Sequence, residues 1–407
     1  MARSIDRLID QWQAQGVVSA PQADRMRGDA REFHRENSSR KLITVFSTIG
    51  ALLLGIGAFL FMASNWTAFS SVTKVILMLG VTGAVYYGGY SLRYERKDYP
   101  LVGNALLFLG SLLFGVTVFL IAQIYHVNAN SHWLVLTWIL GILPLVYCFQ
   151  NKAIAGLSTI LFYVWIGLFV FRGFTVNASQ HNFVAVPALY LVSAVMVFAF
   201  GGMHAWREEW QGCARVVRLI SIKAAMGALF LLTFKVFSGE WSHFFSVSDS
   251  LAKVTAQFSM SFALILIAAI IAVALNSLWS TRSDTNHRWE GAIGGALLSL
   301  TGLFFYFPSA TSVYTVLFNM AFASIVLALL IIGHWREDIK LVNIGMSSLS
   351  IFVLVRYFDF FWDLMPRSIF FMIGGLILVV GGLSMERKRR QLSVAYRQSG
   401  NAEDHHE

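Results

Sequence analysis

From residue 42 to residue 384 the chain alternates long apolar runs with short polar connections. Each run is about 17 to 23 residues long, the length an α-helix needs to cross a hydrocarbon core about 30 Å thick. Twelve segments are expected, at about 42–63, 73–90, 101–124, 133–149, 153–171, 184–203, 219–237, 258–278, 291–307, 313–333, 341–357 and 368–384. The fourth and ninth are short enough to be tilted or re-entrant. Within lipid a helix satisfies its own backbone polar groups. The pattern therefore predicts an all-α, polytopic transmembrane bundle of about twelve helices.

Residues 1–41 carry a different pattern, that of a small amphipathic helical hairpin. Ile5, Leu8, Ile9 and Trp12 recur at helical spacing on one face. Gly16 is a stop signal. Ser19-Ala20-Pro21-Gln22 then reads as a capping box, with Ser19 as N-cap and Gln22 reaching back to it. In the helix that follows, Ala23, Met26, Ala30 and Phe33 share one side, while most of the charged residues face water. Such a hairpin can pack its apolar stripe on itself, lie on the membrane, or dock a membrane protein partner. The expected organisation is thus a hairpin at 1–41, a multi-pass transmembrane domain at 42–384, and a basic then polar, disordered tail at 385–407.

Composition sharpens this picture. Hydrophobic residues make up 57% of the 407 positions and charged ones 13%, about half the charged share of a soluble domain. The net charge of +9 invites a nucleic-acid reading, but the position of the charges opposes it. With the N-terminus inside, 24 of the 31 Lys and Arg fall on the cytoplasmic side and 4 in outer loops, the bias that short inner loops carry. Both termini are therefore expected in the cytoplasm, in a bacterial plasma (inner) membrane, with the lipid bilayer as partner and no nucleic acid. Two cysteines, Cys148 and Cys213, make neither a disulfide framework nor a zinc spacing. The polar first 41 residues predict an uncleaved first helix rather than a signal peptide.

Polar groups at the ends of apolar segments are the candidate ligand- or ion-binding residues. Asn65 and Trp66 close the first segment. Gln123, Tyr125 and His126 close the third, and Arg356 and Asp359, one helical turn apart, close the eleventh. By parity all seven lie at the outer side. The bland alternative for each is a helix-end cap, an interfacial anchor or a local ion pair. Convergence of Asn65, Gln123, His126, Arg356 and Asp359 would make a polar vestibule. Lys223, Lys235 and Arg172 read as snorkelling end anchors. Phosphate loops, HExxH, GxSxG and paired-cysteine motifs are missing, so no catalytic residue, metal ligand or cofactor is assigned.

Three stretches resemble the uncharacterised bacterial family known as domain of unknown function 2157. They are the opening Trp12, Gly16, Val17, Val18 and Ser19; the run Gly50-Ala51-Leu52-Leu53-Leu54-Gly55-Ile56-Gly57 ending in Ala63-Ser64-Asn65-Trp66; and Gln123-Ile124-Tyr125-His126 followed by Trp138 and Pro144. The likeness spans about residues 5–170. The stretch Arg356-Tyr357-Phe358-Asp359, then Arg367-Ser368 and Glu386-Arg387, is similar to the ending of related multi-pass proteins. The resemblance implies a membrane protein and no particular activity. Helix count and outer polar residues lead to an expectation of transport or permeation of a small solute. The rivals are a non-catalytic scaffold or regulatory subunit that docks through residues 1–41, and a membrane-embedded enzyme acting on a lipid-linked substrate.

Overall fold

A computed structural model describes residues 9, 12–13, 15, 17–64, 70–126, 132–170, 176–234, 237, 256–279, 285–307, 311–361, 372, 375–376, 379 and 383. Eleven α-helices run through them: α1 Ala20–Ser64, α2 Ser71–Tyr90, α3 Pro100–Ile124, α4 His132–Phe149, α5 Lys152–Val170, α6 Val176–His204, α7 Gln211–Leu232, α8 Ala256–Trp279, α9 Thr285–Tyr306, α10 Thr311–Trp335 and α11 Ile339–Phe361. They match the first eleven expected segments in order. Only isolated positions of the twelfth, and none of the tail from 385, are among the described residues. Eight helices are long and apolar enough to cross a membrane. The other three are α1, whose apolar stretch among the described residues is the shorter Val45–Gly57, and α7 and α9, of which the first carries Arg215, Arg218 and Lys223 and the second Arg288 and Glu290.

The first helix departs from the expected domain boundary. It runs unbroken through residues 41 and 42, because nothing between Arg40 and Ile43 is a helix breaker. Its start carries one half of the capping box: the Ser19 backbone N–H donates to Gln22 Oε1 at 3.0 Å, and the Ser19 hydroxyl donates to the same oxygen at 2.9 Å, while the Gln22 N–H goes to the Ser19 carbonyl at 3.0 Å. Ile9 ahead of it and Ala23 in its first turn are buried, and Arg27 of the helix donates back to Gln13 Oε1 at 3.0 Å.

Local signals end the other helices too. Ser70 caps α2 through the Thr73 N–H, and Pro100 opens α3 where its missing N–H costs nothing. Asn151 Oδ1 accepts from the N–H groups of Ala153 and Ile154 at the start of α5. Four helical stretches end in a non-glycine residue of positive φ: Lys97, His126, Gln150 and Glu337. After α10 the Asp338 N–H bonds the Gly333 carbonyl at 2.9 Å, one arm of a Schellman closure.

The chain forms two compact units, Met1–Phe318 and Asn319–Glu407. The first has two hubs. Helix α3 packs against α1, α2 and α4, while α6 packs against α7, α8 and α9, with α5 touching both sets. Helix α6 earns its central place through small and branched residues, with Ala185, Ala188, Leu189, Val192 and Ala194 almost wholly buried. Where α3 meets α4, each helix drops an aromatic ring onto a glycine of the other. Trp138 covers Gly115, and Phe114 covers Gly141. The Trp138 indole N–H donates to the Ser111 carbonyl at 2.8 Å.

Hydroxyls tie the helices across the apolar core, as they do between membrane helices generally. Thr82 and Thr117 join α2 to α3 at 3.3 Å, and Tyr86 donates to Ser111 at 3.3 Å. Tyr163 of α5 donates to Ser221 of α7 at 3.2 Å and accepts Tyr190 of α6 on its carbonyl at 2.8 Å. In the second unit Phe322 of α10 stacks on Phe352 of α11 at 4.9 Å.

Candidate functional site: the polar network at the basic end

Three connections of the first unit, 91–99, 150–151 and 205–210, meet at one end. They hold Arg93, Arg96, Lys97, Arg207 and, just beyond, Lys152. A π-helical turn, Ser91–Glu95, carries α2 into the first of them. It aims Arg93 at Asn104 Oδ1 and lets Tyr94 donate to the Phe149 carbonyl at 3.2 Å. Asn151 Nδ2 reaches the Asn104 carbonyl at 3.1 Å, so the two asparagines lock the openings of α3 and α5 together. Gln150, turned by its positive φ, donates to Glu209 at 3.4 Å.

An aromatic cluster adjoins this lattice. His204, at the end of α6, lies 2.9 Å from the Phe200 carbonyl through Nδ1 and 3.2 Å from the Tyr147 hydroxyl through Nε2. A carbonyl only accepts, so in the neutral ring Nδ1 carries the proton and Nε2 accepts from Tyr147. Trp210 packs on Tyr147 at 4.9 Å and closes the group. Below it, Cys213 is buried in the α3–α4–α5–α7 core. Burial pushes its thiol above the ordinary range, with Lys152 and Arg93 pulling the other way.

The last member is an ion pair. Arg218 of α7 meets Glu290 of α9 at 2.6 Å, with side chains 18% and 15% exposed. The guanidinium also lies 4.3 Å from the centre of the Phe198 ring. Asn276 of α8 is buried nearby, where a Cβ on Gly202 would come within 3.0 Å of its Cγ. Four helices thus converge around one charge pair.

The residues expected at the outer side are placed as follows. Asn65 and Trp66 lie outside the described residues. Gln123, Tyr125 and His126 are exposed at the end of α3, and His126 ends that helix with a φ of 54°. Histidine tolerates that region better than most residues, which suits a helix terminator. Arg356 is half-buried in the second unit, where it donates to Asn319 Oδ1 at 3.0 Å and lies 5.4 Å from the Phe352 ring centre. Asp359 belongs to α11, but its side chain is outside the described set. Lys223 is exposed on α7, Lys235 and Arg172 are not described, and Lys74 at the start of α2 is buried.

Sequence reasoning missed Asn104, Asn151, Tyr147, His204 and the Arg218–Glu290 pair. Each is an ordinary polar residue near a helix end until its distant partner is known. Among the described residues, no three of His, Cys, Asp and Glu gather in a way that would hold a metal ion.

Apolar helices of spanning length, hydroxyl ties across the core and a charged end define a multi-pass, all-α integral membrane protein. Residues 10–155 match the model of the family described as Predicted membrane protein (DUF2157). That span covers α1 to α4 and the Asn104–Asn151 lock. No curated protein and no solved structure matches the chain.

Proposed function

We propose that the protein is a non-catalytic membrane adaptor that holds a second membrane protein along α1. One observation carries the reading: α1 is 45 residues long and, among the described helices, packs against α3. At ~1.5 Å per residue it measures about 67 Å, more than twice a ~30 Å hydrocarbon core. A rigid arm therefore continues out of the bilayer from the lipid-embedded half. Along that half Leu42, Phe46, Ile49, Leu53 and Ile56 stay exposed. Docking on such a helix requires no ordering of the arm, which lowers the entropic cost of association.

Transport of a small solute is the competing reading. It draws on polar groups lining a passage, whereas the buried Thr82, Thr117, Tyr163 and Ser221 hydroxyls bond one another. The cavity between α8 and α9 is lined mainly by apolar atoms. These observations favour the adaptor.

The test is site-specific photo-crosslinking in intact membranes, from Gly28 on the arm and Leu53 on the lipid-embedded half. The adaptor reading expects one and the same protein adduct from both positions, and the Leu53 adduct is expected to be lost when residues 1–36 are deleted. Adducts to lipid alone at both positions would sink it, and solute uptake by liposomes holding the purified chain would replace it with transport.

The basic end supports a cytoplasmic placement of both termini in the plasma membrane, since short inner loops retain Lys and Arg. Reporter fusions at Arg96, Arg215 and Glu386 are expected to read cytoplasm, and fusions at Ser70, Asn130 and Ser246 the outside. An outside signal at Arg215 overturns this topology.

A further inference from the structure

The apolar pattern puts Lys223 one turn into a span that opens near residue 219, whereas α7 opens at Gln211. Its neighbours fix the level. Arg218 lies against Gly201 of α6, where an added Cβ would come 2.9 Å from the arginine Cγ, and α6 ends three residues later at His204. Lys223 is five residues further along α7. At ~1.5 Å per residue it sits about 12 Å below the end of α6 and about 14 Å from Leu232, the far end of α7. Helices α5 and α6, which pack on α7, are both of spanning length. The midplane of a ~30 Å core is about 15 Å from each face, so Lys223 lies close to the middle.

Its side of the helix is open. Helix α7 buries Ala214, Ser221 and Leu232, which lie on one face. Lys223 and Gly227, one turn apart, share the opposite face. Both are exposed, and a Cβ on Gly227 would meet nothing within 4 Å. Among the described residues, nothing hydrogen-bonds to or pairs with the Lys223 ammonium.

A charge at this depth is costly and is retained where an opposite charge meets it. The chain does not supply one: its twelve apolar segments contain no Asp or Glu. Glu290, just ahead of the ninth, is paired with Arg218, and Asp359 lies beyond the end of the eleventh. Lipid phosphate does not supply it either. A lysine stem reaches about 6 Å, which leaves the ammonium short of the headgroups in both directions. A second copy docked through the same face would set Lys223 against Lys223, since a two-fold interface uses one patch twice. A carboxylate on another protein's spanning helix meets the requirement.

We infer that the Lys223–Gly227 face of α7 docks a transmembrane helix of a second membrane protein, one that carries an aspartate or glutamate near its midpoint. The ion pair fixes depth and rotation, and Gly227 lets the two backbones approach closely. This face belongs to a different helix from the arm and stands whether or not α1 holds a partner.

The experiment is photo-crosslinking of the full chain in intact membranes, from a diazirine amino acid at position 227. One protein adduct is expected, and its crosslinked peptide should be a spanning segment with Asp or Glu in the middle third. Lys223→Met keeps the stem and removes the charge, so it should cut the adduct at least tenfold. Lys223→Arg keeps the charge and should stay within twofold. Changing the partner's carboxylate to its amide should match Lys223→Met. Purified alone in detergent, Lys223→Met should melt no lower than the unmodified chain, because the counter-ion is not its own. A lower melting temperature, or failure to fold, would place the counter-ion within the chain and overturn the inference. Adducts to lipid alone, to a second copy, to another segment of this chain or to a span without a carboxylate would each overturn it. So would the absence of any adduct, or an adduct unchanged by Lys223→Met.

Discussion

Replacing Gly115 by alanine tests the central packing claim for α3 and α4. A Cβ at Gly115 would lie 2.5 Å from the indole Cδ2 of Trp138, and closer still to Cε2 and Cζ2. Comfortable carbon contacts need about 3.5 to 4 Å, so the indole would have to retreat by more than an ångström. It cannot do so freely. Its N–H donates to the Ser111 carbonyl at 2.8 Å, and its edge meets Phe119 at 6.3 Å. Overpacking costs about 1 to 3 kcal/mol, and losing the indole hydrogen bond adds about 1 kcal/mol. The expected destabilisation is therefore about 2 to 4 kcal/mol, in the direction opposite to helix propensity, which alone favours alanine by about 1 kcal/mol.

The assay is reversible unfolding of the purified protein in mixed micelles, with Gly57→Ala and Gly80→Ala as controls. Nothing lies within 4 Å of a Cβ at those two positions, so both should be neutral or slightly stabilising. Trp138→Phe removes the clashing atoms, and Gly115→Ala in that background should cost less than half its original penalty. The packing argument fails if Gly115→Ala behaves like the controls, or if its cost is the same with and without the indole.

Three further outcomes are expected. Lys97 and Glu337 are exposed at positive φ, where a side chain costs about 1 to 2 kcal/mol. Glycine at either site should raise stability by up to about 1 kcal/mol after its own entropy penalty, and a fall in melting temperature would refute the strain. Arg218→Ala and Glu290→Ala should each destabilise by about 3 kcal/mol, because each removes the 2.6 Å ion-pair partner of a mostly buried charge. Arg218→Ala combined with Glu290→Ala should then cost well under the sum of the two, and strict additivity would deny the coupling. For Cys213, burial raises the thiol pKa, so its stabilising contribution is complete below about pH 8.5 and is lost as pH rises through the raised value. The stability gap between the unmodified chain and Cys213→Ala should narrow in alkali, and a gap constant with pH would mean that the buried thiol does not titrate there.

Much of this molecule is written locally. The first eleven apolar runs are helices in the expected order because spanning length is a property of a short stretch of sequence and lipid leaves the backbone no alternative. Gln22 reaches back to Ser19 for the same reason, both partners lying within one turn. The change from charged to apolar residues suggested a boundary at residue 42, but α1 runs through it unbroken. What the sequence could not decide was which helix becomes a hub and which polar residues find one another. Trp138 stood out as a family-like residue, but only packing places it over Gly115. The outer-side candidates looked like one site because they share a depth. Gln123, Tyr125 and His126 are exposed, and Arg356 donates to Asn319 of the neighbouring helix. A network that the sequence did not announce lies at the basic end, where Asn104 meets Asn151 and Arg218 meets Glu290. Those pairs join residues far apart in the chain, and their meeting depends on helix rotation and crossing, which side-chain packing sets and no local pattern encodes.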